Sequence, residues 1–256
     1  MASDKSWKKI FDDYKILKHD YEKAPFKLSA DQIKESCQNF TKTTEKEVRI
    51  LTKQDTREKR PKVFIENDLF ILPVKNGYYE IFKGEGYVDI PDITTSPVIY
   101  NSKLDFRLDT AKIGSSEMQH LDFAYASSLI RSFLKDESLV LTIRGRKFTP
   151  EFSFNVGKHN VTVKGVQTEV DAGYEGKDKV VLVEAKNTRT NNTIIRQLFY
   201  PYKQWKQFTD KEILLIFFEK RGDMYYIWQY GFKDENDYNS IELIKSKRYL
   251  IEGPND

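Results

Sequence analysis

Residues 179–186 read Lys-Val-Val-Leu-Val-Glu-Ala-Lys. Four apolar residues in a row, 180–183, are what a strand covered on both faces carries. This run passes straight into Glu184 and Lys186. Charge at the end of a buried strand costs folding free energy unless it pairs, binds a metal or takes part in chemistry. The stretch just before, from Gly165 onward, ends in a second strand-like run that carries Glu169 and Asp171. Residues 172–179 between the two runs are rich in glycine and charge, so the runs can fold back as antiparallel neighbours. Side chains on a strand alternate with a period of two. Leu182, Glu184 and Lys186 therefore share one face, Glu169 and Asp171 share another, and the fold-back brings Asp171 near Glu184.

The rest of the chain supplies the setting. At 256 residues it is long enough for one large domain or two small ones. Apolar spacing at Trp7, Ile10, Phe11, Tyr14, Ile16 and Leu17 predicts a helix over about 7–21, ended by Pro25. A second helix starts near Leu28 with Ser29 or Asp31 as cap, and a third stretch runs from about Thr44 through Val48 and Leu51. Over 42–62 basic residues outnumber acidic ones two to one, a balance that points to a polyanion-facing surface. A hairpin follows, 69–74 and 78–82 joined through Lys75-Asn76-Gly77. Helix, helix, basic segment and hairpin together sketch a winged-helix-like lobe over residues 1–98. The Gly-, Pro- and Thr-rich stretch 84–102 reads as a linker or crossing segment.

Residues 99–256 form the second expected domain. A helix runs from Glu117 to about Leu134, capped by Ser115 or Ser116. Strands are expected at 139–143, then a basic turn over Arg144, Gly145, Arg146 and Lys147, then strands around Phe152 and Val161. After the charged strand comes a helix over 190–208, kinked or broken at Pro201, and strands at 212–218, 224–231 and 241–249. This order predicts an α+β fold with a mixed sheet flanked by helices. Tyr200, Tyr202 and Trp205 are expected in the core.

Composition narrows the chemistry. Net charge is only +3, compatible with nucleic-acid binding through local patches rather than overall charge. The single cysteine, Cys37, excludes a disulfide framework and a multi-thiolate zinc site. His19, His120 and His159 lack metal-ligand spacing and read as ordinary polar residues. The N-terminal residues lack the apolar core of a signal peptide, and the longest apolar run, 213–218, is too short to span a bilayer. A soluble cytoplasmic protein without a membrane partner is expected.

Two carboxylates that converge repel each other, and Mg²⁺ answers that repulsion. It takes oxygen ligands, keeps several waters, and commonly links one or two carboxylates to a substrate phosphate. Asp171 and Glu184 are the expected ligands, with the peptide oxygen of Ala185 as a further one. Lys186, a compact donor, would orient a water or offset negative charge.

Asp171 followed by Glu184-Ala185-Lys186 resembles the signature of the PD-(D/E)XK nuclease superfamily, with Val-Asp in place of the eponymous Pro-Asp. The motif covers only some sixteen residues, but the αβββαβ order over 117–218 is similar to the family core. The resemblance implies a restriction-endonuclease-like core, Mg²⁺ held by the acid pair, and cleavage to 5′-phosphate and 3′-hydroxyl ends. It suggests two more participants. Glu117 corresponds to an acid on the helix before the sheet, and Gln197 to a glutamine on the helix after the lysine; Glu169 reads as an outer acid or ion-pair partner. Within the superfamily the chain resembles a type II restriction endonuclease, which implies double-stranded DNA as substrate and a homodimer when both strands are cut. Arg49, Lys53, Arg57, Arg60 and Lys62 in the first lobe, with Arg144, Arg146 and Lys147 in the second, are the expected DNA contacts. Two other readings remain open: a repair or junction-resolving nuclease of the same superfamily, and a non-catalytic DNA-binding protein.

Overall fold

The computed structural model describes residues 3–253. The chain begins with α1 (Asp4–Asp13), which buries Trp7, Ile10 and Phe11. It is shorter than the 7–21 reading, because Lys15 adopts a left-handed conformation and only a 3-10 turn, Ile16–Lys18, follows. β1 (Phe26–Ser29) leads into α2 (Ala30–Cys37). Here Ser29 Oγ accepts from the Gln32 N–H at 3.2 Å while Gln32 Oε1 accepts from the Ser29 N–H at 2.8 Å. This reciprocal pair satisfies two otherwise orphaned donors at the helix start. The helix expected over 44–51 is two single turns, α3 (Thr43–Lys46) and α4 (Val48–Leu51), separated where Glu47 is extended. α5 (Lys62–Glu66), β2 (Leu69–Lys75) and β3 (Tyr78–Lys83) complete the lobe. β2 and β3 form the expected hairpin, with Gly77 at φ 76°, a backbone region that other residues enter only at a cost. The three strands pair antiparallel in the order β1-β3-β2.

The expected linker is ordered strand and crossing chain. β4 (Tyr87–Asp89) and β5 (Val98–Asn101) lie in it. Between them Trp228 Nε1 donates to the Pro91 carbonyl at 2.9 Å, and Tyr230 Oη to that of Asp89 at 2.6 Å. Next come α6 (Glu117–Ala126) and α7 (Leu129–Leu134), the single expected helix broken where Ser128 takes φ 65°. β6 (Val140–Phe148), β7 (Phe152–Val156), β8 (His159–Val163), β9 (Gln167–Glu175) and β10 (Lys179–Lys186) follow. The basic turn expected at 144–147 is instead the second half of β6, kept in register against β9 by bulges. At one of these, Gly173 lets β6 approach so closely that a Cβ there would lie 2.6 Å from the Ile143 side chain. β11 (Asn192–Ile194) replaces the first turn of the helix expected from Thr190, and α8 (Arg196–Lys206) runs on through Pro201. β12 (Glu212–Arg221), β13 (Met224–Phe232) and β14 (Ile241–Glu252) match the three expected strands and extend them.

A seven-stranded mixed sheet in the order β5-β14-β13-β12-β10-β9-β6 forms the second lobe's centre. β10 runs parallel to β12 and antiparallel to β9. α6 and α7 cover one face, where Leu121, Ala124 and Leu129 meet Val181, Val183 and Ala185. α8 covers the other, where Leu198 meets Val180, Leu182, Leu215 and Trp228. The fold is thus α+β, with mixed sheets flanked by helices. No helix among the described residues is long and apolar enough to cross a membrane.

The two lobes share a core. Leu69, Ile71 and Ile81 of the small sheet face α1 and α2, whereas Phe70, Leu72 and Phe82 face Phe154, Phe199, Tyr200 and Tyr238 of the second lobe. Phe70 stacks on Tyr238 at 6.1 Å between centroids. Truncating a buried aromatic costs about 3–5 kcal/mol. Phe70→Ala is therefore expected to lower the urea midpoint of the whole chain in one transition. Separate transitions for fluorescence (Trp7 against Trp228) and circular dichroism would show that the lobes unfold independently.

Candidate functional site

The ladder between β9 and β10 ends at the pair Ala172–Val183, and the strands part just beyond it. Asp171 and Glu184 are the first residues past the split. The Ala185 N–H, which has lost its β9 partner, donates instead to Asp171 Oδ2 at 2.7 Å. Glu184, 8% exposed, is held through one oxygen. Oε1 accepts from Lys186 Nζ and, at 2.7 Å, from Gln197 Nε2 on the first turn of α8. Lys186 Nζ also donates to the Ala185 carbonyl at 3.0 Å. Oδ1 of Asp171 and Oε2 of Glu184 accept no hydrogen bond from the described residues.

Burial dominates the electrostatics. It pushes the Glu184 carboxyl up to about 7, with Lys186 opposing the rise and Asp171 adding to it. Loss of solvent likewise raises Asp171, against the Ala185 N–H and Lys186, while Glu117 and Glu169 add negative charge nearby. Burial pulls the Lys186 ammonium down, but Glu184, Asp171 and Glu117 together outweigh it and the net shift is upward. A buried and a half-buried carboxyl, each with an uncommitted oxygen and both raised, fit a small divalent cation that keeps most of its waters. The donor set is hard oxygen only. Among the described residues, no group of three or more His, Cys, Asp or Glu side chains converges as a ready metal cluster. Any ion would therefore rest on two carboxylates, with the Ala185 carbonyl, which already accepts from Lys186 Nζ, as the further oxygen.

Of the other expected participants, Glu117 lies at the start of α6, half-buried, and acts electrostatically on Asp171 and Lys186. Glu169 pairs with Arg146 at 3.2 Å. Tyr200 is fully buried and donates to the Pro73 carbonyl at 2.9 Å. The expected DNA contacts divide. Arg49, Lys53, Lys62 and Lys147 are exposed. Arg144 and Arg146 are committed to Asp122 and Glu169 beside the centre. Arg57 and Arg60 are committed within the fold. Arg57 pairs with Glu85 and Asp89. Arg60 is buried, donates to the Leu69 carbonyl at 3.0 Å and lies 5.0 Å from the Tyr87 ring centroid. Both make contacts inside the fold, and a charge run gives no sign of which cations the fold turns inward.

Sequence reasoning missed Thr193 and Asp55. The Thr193 hydroxyl donates to Gln197 Oε1 at 2.5 Å. The i, i+4 spacing of a threonine and a glutamine was the only local signal. Asp55, buried in the first lobe, adds to the rise at Glu184, and nothing local announces it.

The Glu184 shift has a definite sign. Its folded pKa lies above the ordinary 4.5, so between pH 4.5 and about 7 the folded state holds a proton that the unfolded state has lost. Stability from this group is therefore present at low pH and lost as pH rises through 7. In metal-free protein, Glu184→Gln is expected to gain melting temperature relative to wild type as pH rises from about 5 to 8. A constant difference across that range would show that the carboxyl is not raised.

Among known families, residues 82–250 match a domain of unknown function (DUF6997), and residues 4–81 match a second domain of unknown function (DUF6996). No curated protein and no solved structure matches the chain. The first match carries the whole candidate centre, from Glu117 to Gln197, and two thirds of the sequence, so the chain belongs to the DUF6997 family.

Proposed function

We propose that the chain is a Mg²⁺-dependent endonuclease of the PD-(D/E)XK type, acting on double-stranded DNA in the manner of a type II restriction enzyme. The observation that carries this reading is the split between β9 and β10, which leaves Asp171 and Glu184 side by side with free oxygens and Lys186 on Glu184. The order α6-β6-β9-β10-α8-β12, with sheet neighbours β6-β9-β10-β12 and the last pair parallel, agrees with the αβββαβ core of that superfamily. In the first lobe, α1-β1-α2, two helical turns, then β2-β3 with sheet order β1-β3-β2, supports a winged-helix-like module for DNA contact.

Asp171 and Glu184 would hold the ion, which when bound lowers the pKa of a water and stabilises phosphate charge. Lys186 Nζ orients the attacking water and offsets negative charge on the phosphate. Its strong hydration and compact charge suit both tasks. Gln197 keeps Glu184 facing the split. Attack in line at phosphorus would leave 5′-phosphate and 3′-hydroxyl ends. Arg49, Lys53, Lys62, Arg146 and Lys147 are exposed cations that would meet the backbone, and such contacts make binding fall steeply with salt. Each centre cuts one strand, so a double-strand break calls for a homodimer or two encounters.

Incubation with unmethylated phage-sized DNA and Mg²⁺ is expected to give discrete fragments with uniform ends on sequencing. Asp171→Ala and Lys186→Ala should each slow cleavage by about 10²–10³-fold. Unchanged Mg²⁺-dependent cleavage in both variants would mean the centre is elsewhere. Cleavage confined to branched substrates would favour a junction-resolving enzyme. Tight DNA binding without cutting, in Mg²⁺ or Mn²⁺, would favour a DNA-binding protein with an inert second lobe.

A further inference from the structure

A run of hydrogen bonds leads from the first lobe into the Glu184 carboxylate. The 3-10 turn Arg57–Lys59 of the first lobe grips Asn192 on β11. Asn192 Nδ2 donates to both oxygens of Glu58, at 2.8 and 3.1 Å, and the Arg57 N–H donates to Asn192 Oδ1 at 2.7 Å. Two residues on, the Ile194 N–H donates to the Asp55 carbonyl at 2.9 Å. On its other side β11 pairs with β4, whose Asp89 takes the Arg57 guanidinium. Thr193 sits between these two clamps and is 1% exposed. Its hydroxyl donates to Gln197 Oε1, and Gln197 Nε2 donates to Glu184 Oε1.

The chemistry of the amide makes this run directional. A glutamine side chain has an acceptor end and a donor end. With Oε1 taken by the Thr193 hydroxyl, only the NH₂ end faces Glu184. The reverse orientation would aim an oxygen lone pair at an ionised carboxylate. An ionised Glu184 only accepts, so it sets which end of the amide faces it, and the Thr193 hydroxyl anchors the opposite end by donating to Oε1. Asn192, fixed by Glu58 and Arg57, holds Thr193 where it can do so.

We propose that Thr193 and Asn192 are positioning residues for Glu184, and that the first lobe completes the centre through its 55–59 turn. The inference rests on reading Glu184 as a metal-holding carboxylate. It gives the first lobe a role beyond DNA contact. Lys53 and Lys59, exposed on either side of Asp55 and Glu58, lie on the same short segment that sets Asn192. A phosphate backbone held there is coupled to the geometry of Glu184 by contiguous bonds rather than by distance alone.

Full-length chains carrying Thr193→Val, Thr193→Ser and Asn192→Ala test it. Three readouts are needed: Mn²⁺ affinity by calorimetry without DNA, single-turnover cleavage at saturating DNA, and the side-chain amide resonances of Gln197 by NMR. Partners that orient a metal ligand from behind typically contribute about 10–100-fold. Thr193→Val and Asn192→Ala should weaken Mn²⁺ binding and slow single-turnover cleavage on that scale, with DNA affinity unchanged and the Gln197 amide signals shifted. Thr193→Ser keeps the hydroxyl and should restore Mn²⁺ affinity to within roughly threefold of wild type, well inside that window. A folded Thr193→Val chain with wild-type Mn²⁺ affinity and unmoved Gln197 signals would overturn the proposal. If wild type neither binds Mn²⁺ nor cuts DNA while the Gln197 signals still respond to Asn192→Ala, which cuts the link to Glu58 and Arg57 without touching Gln197, the positioning of Gln197 by the first lobe is supported and the nuclease reading is the part that fails.

Discussion

Burying the Glu184 carboxylate is the constraint on which the rest of the structure depends. A carboxylate taken out of water must be neutralised or supplied with donors. Lys186 and Gln197 are those donors, and each needs its own scaffold. Lys186 follows from the strand period, two residues along β10. Gln197 needs α8 to start at Arg196, which in turn needs the chain after β10 to turn back sharply instead of entering a helix at once. β11 makes that turn. The split between β9 and β10 is the third part. It would strand the Ala185 N–H, and Asp171 removes that penalty by accepting from it. One polar contact thus both repairs the sheet and brings the second carboxyl to the first.

This arrangement requires the two lobes to act as one body. Ile81 and Phe82 are neighbours in β3, and their side chains enter different cores, one under α1 and α2, the other against β7 and α8. The boundary between the two matched family domains falls between these two residues. A strand whose alternate residues serve two cores cannot be divided without opening both. The aromatic cluster of Phe70, Phe82, Phe154 and Tyr238 fixes the first lobe on the second. That fixity gives the 55–59 turn a constant position relative to β11. Rigid support behind a polar centre is what keeps donors aimed without reorganisation.

How much of this was legible in the sequence depended on the range of the interactions. The meeting of Asp171 with Glu184 needed only a period of two and a short connection, and the paired strands follow both. The flanking helices and the hairpin at Gly77 were readable for the same reason, since caps and turn residues act within a few positions. Failures began where tertiary contacts decided. Residues 144–147 look like a basic turn, yet β9 offers them a ladder, and bulges absorb the mismatch. The Thr190 region has helical spacing, but β4 and the 55–59 turn capture it as a strand. Arg57 and Arg60 sit in a cationic run whose burial is set by Tyr87, Glu85 and Asp89, none adjacent in sequence. Asn192 was invisible because its partners lie up to 135 positions away, and Thr193 left only its i, i+4 spacing from Gln197.

A second buried acid shows that the loop after the motif is also fixed. Glu219 is fully buried and stands in register with Lys186 across the parallel β10–β12 ladder. It pairs with Arg221 and accepts from the Thr190 N–H at 2.9 Å. Arg221 reaches on to Asp92 at 3.3 Å and lies 4.5 Å from the Tyr226 ring centroid. A buried ion pair of this kind is weak evidence for stability, because desolvation offsets much of its attraction. Its effect here is geometric. Residues 187–191 run between Lys186 and Asn192, and Glu219 pins that short loop near its far end. Lys186 is fixed at one side by its strand, Asn192 at the other by the first lobe, and the loop between them by Glu219. The path from the motif to the residues that orient Gln197 is therefore held at every stage by a bonded polar contact.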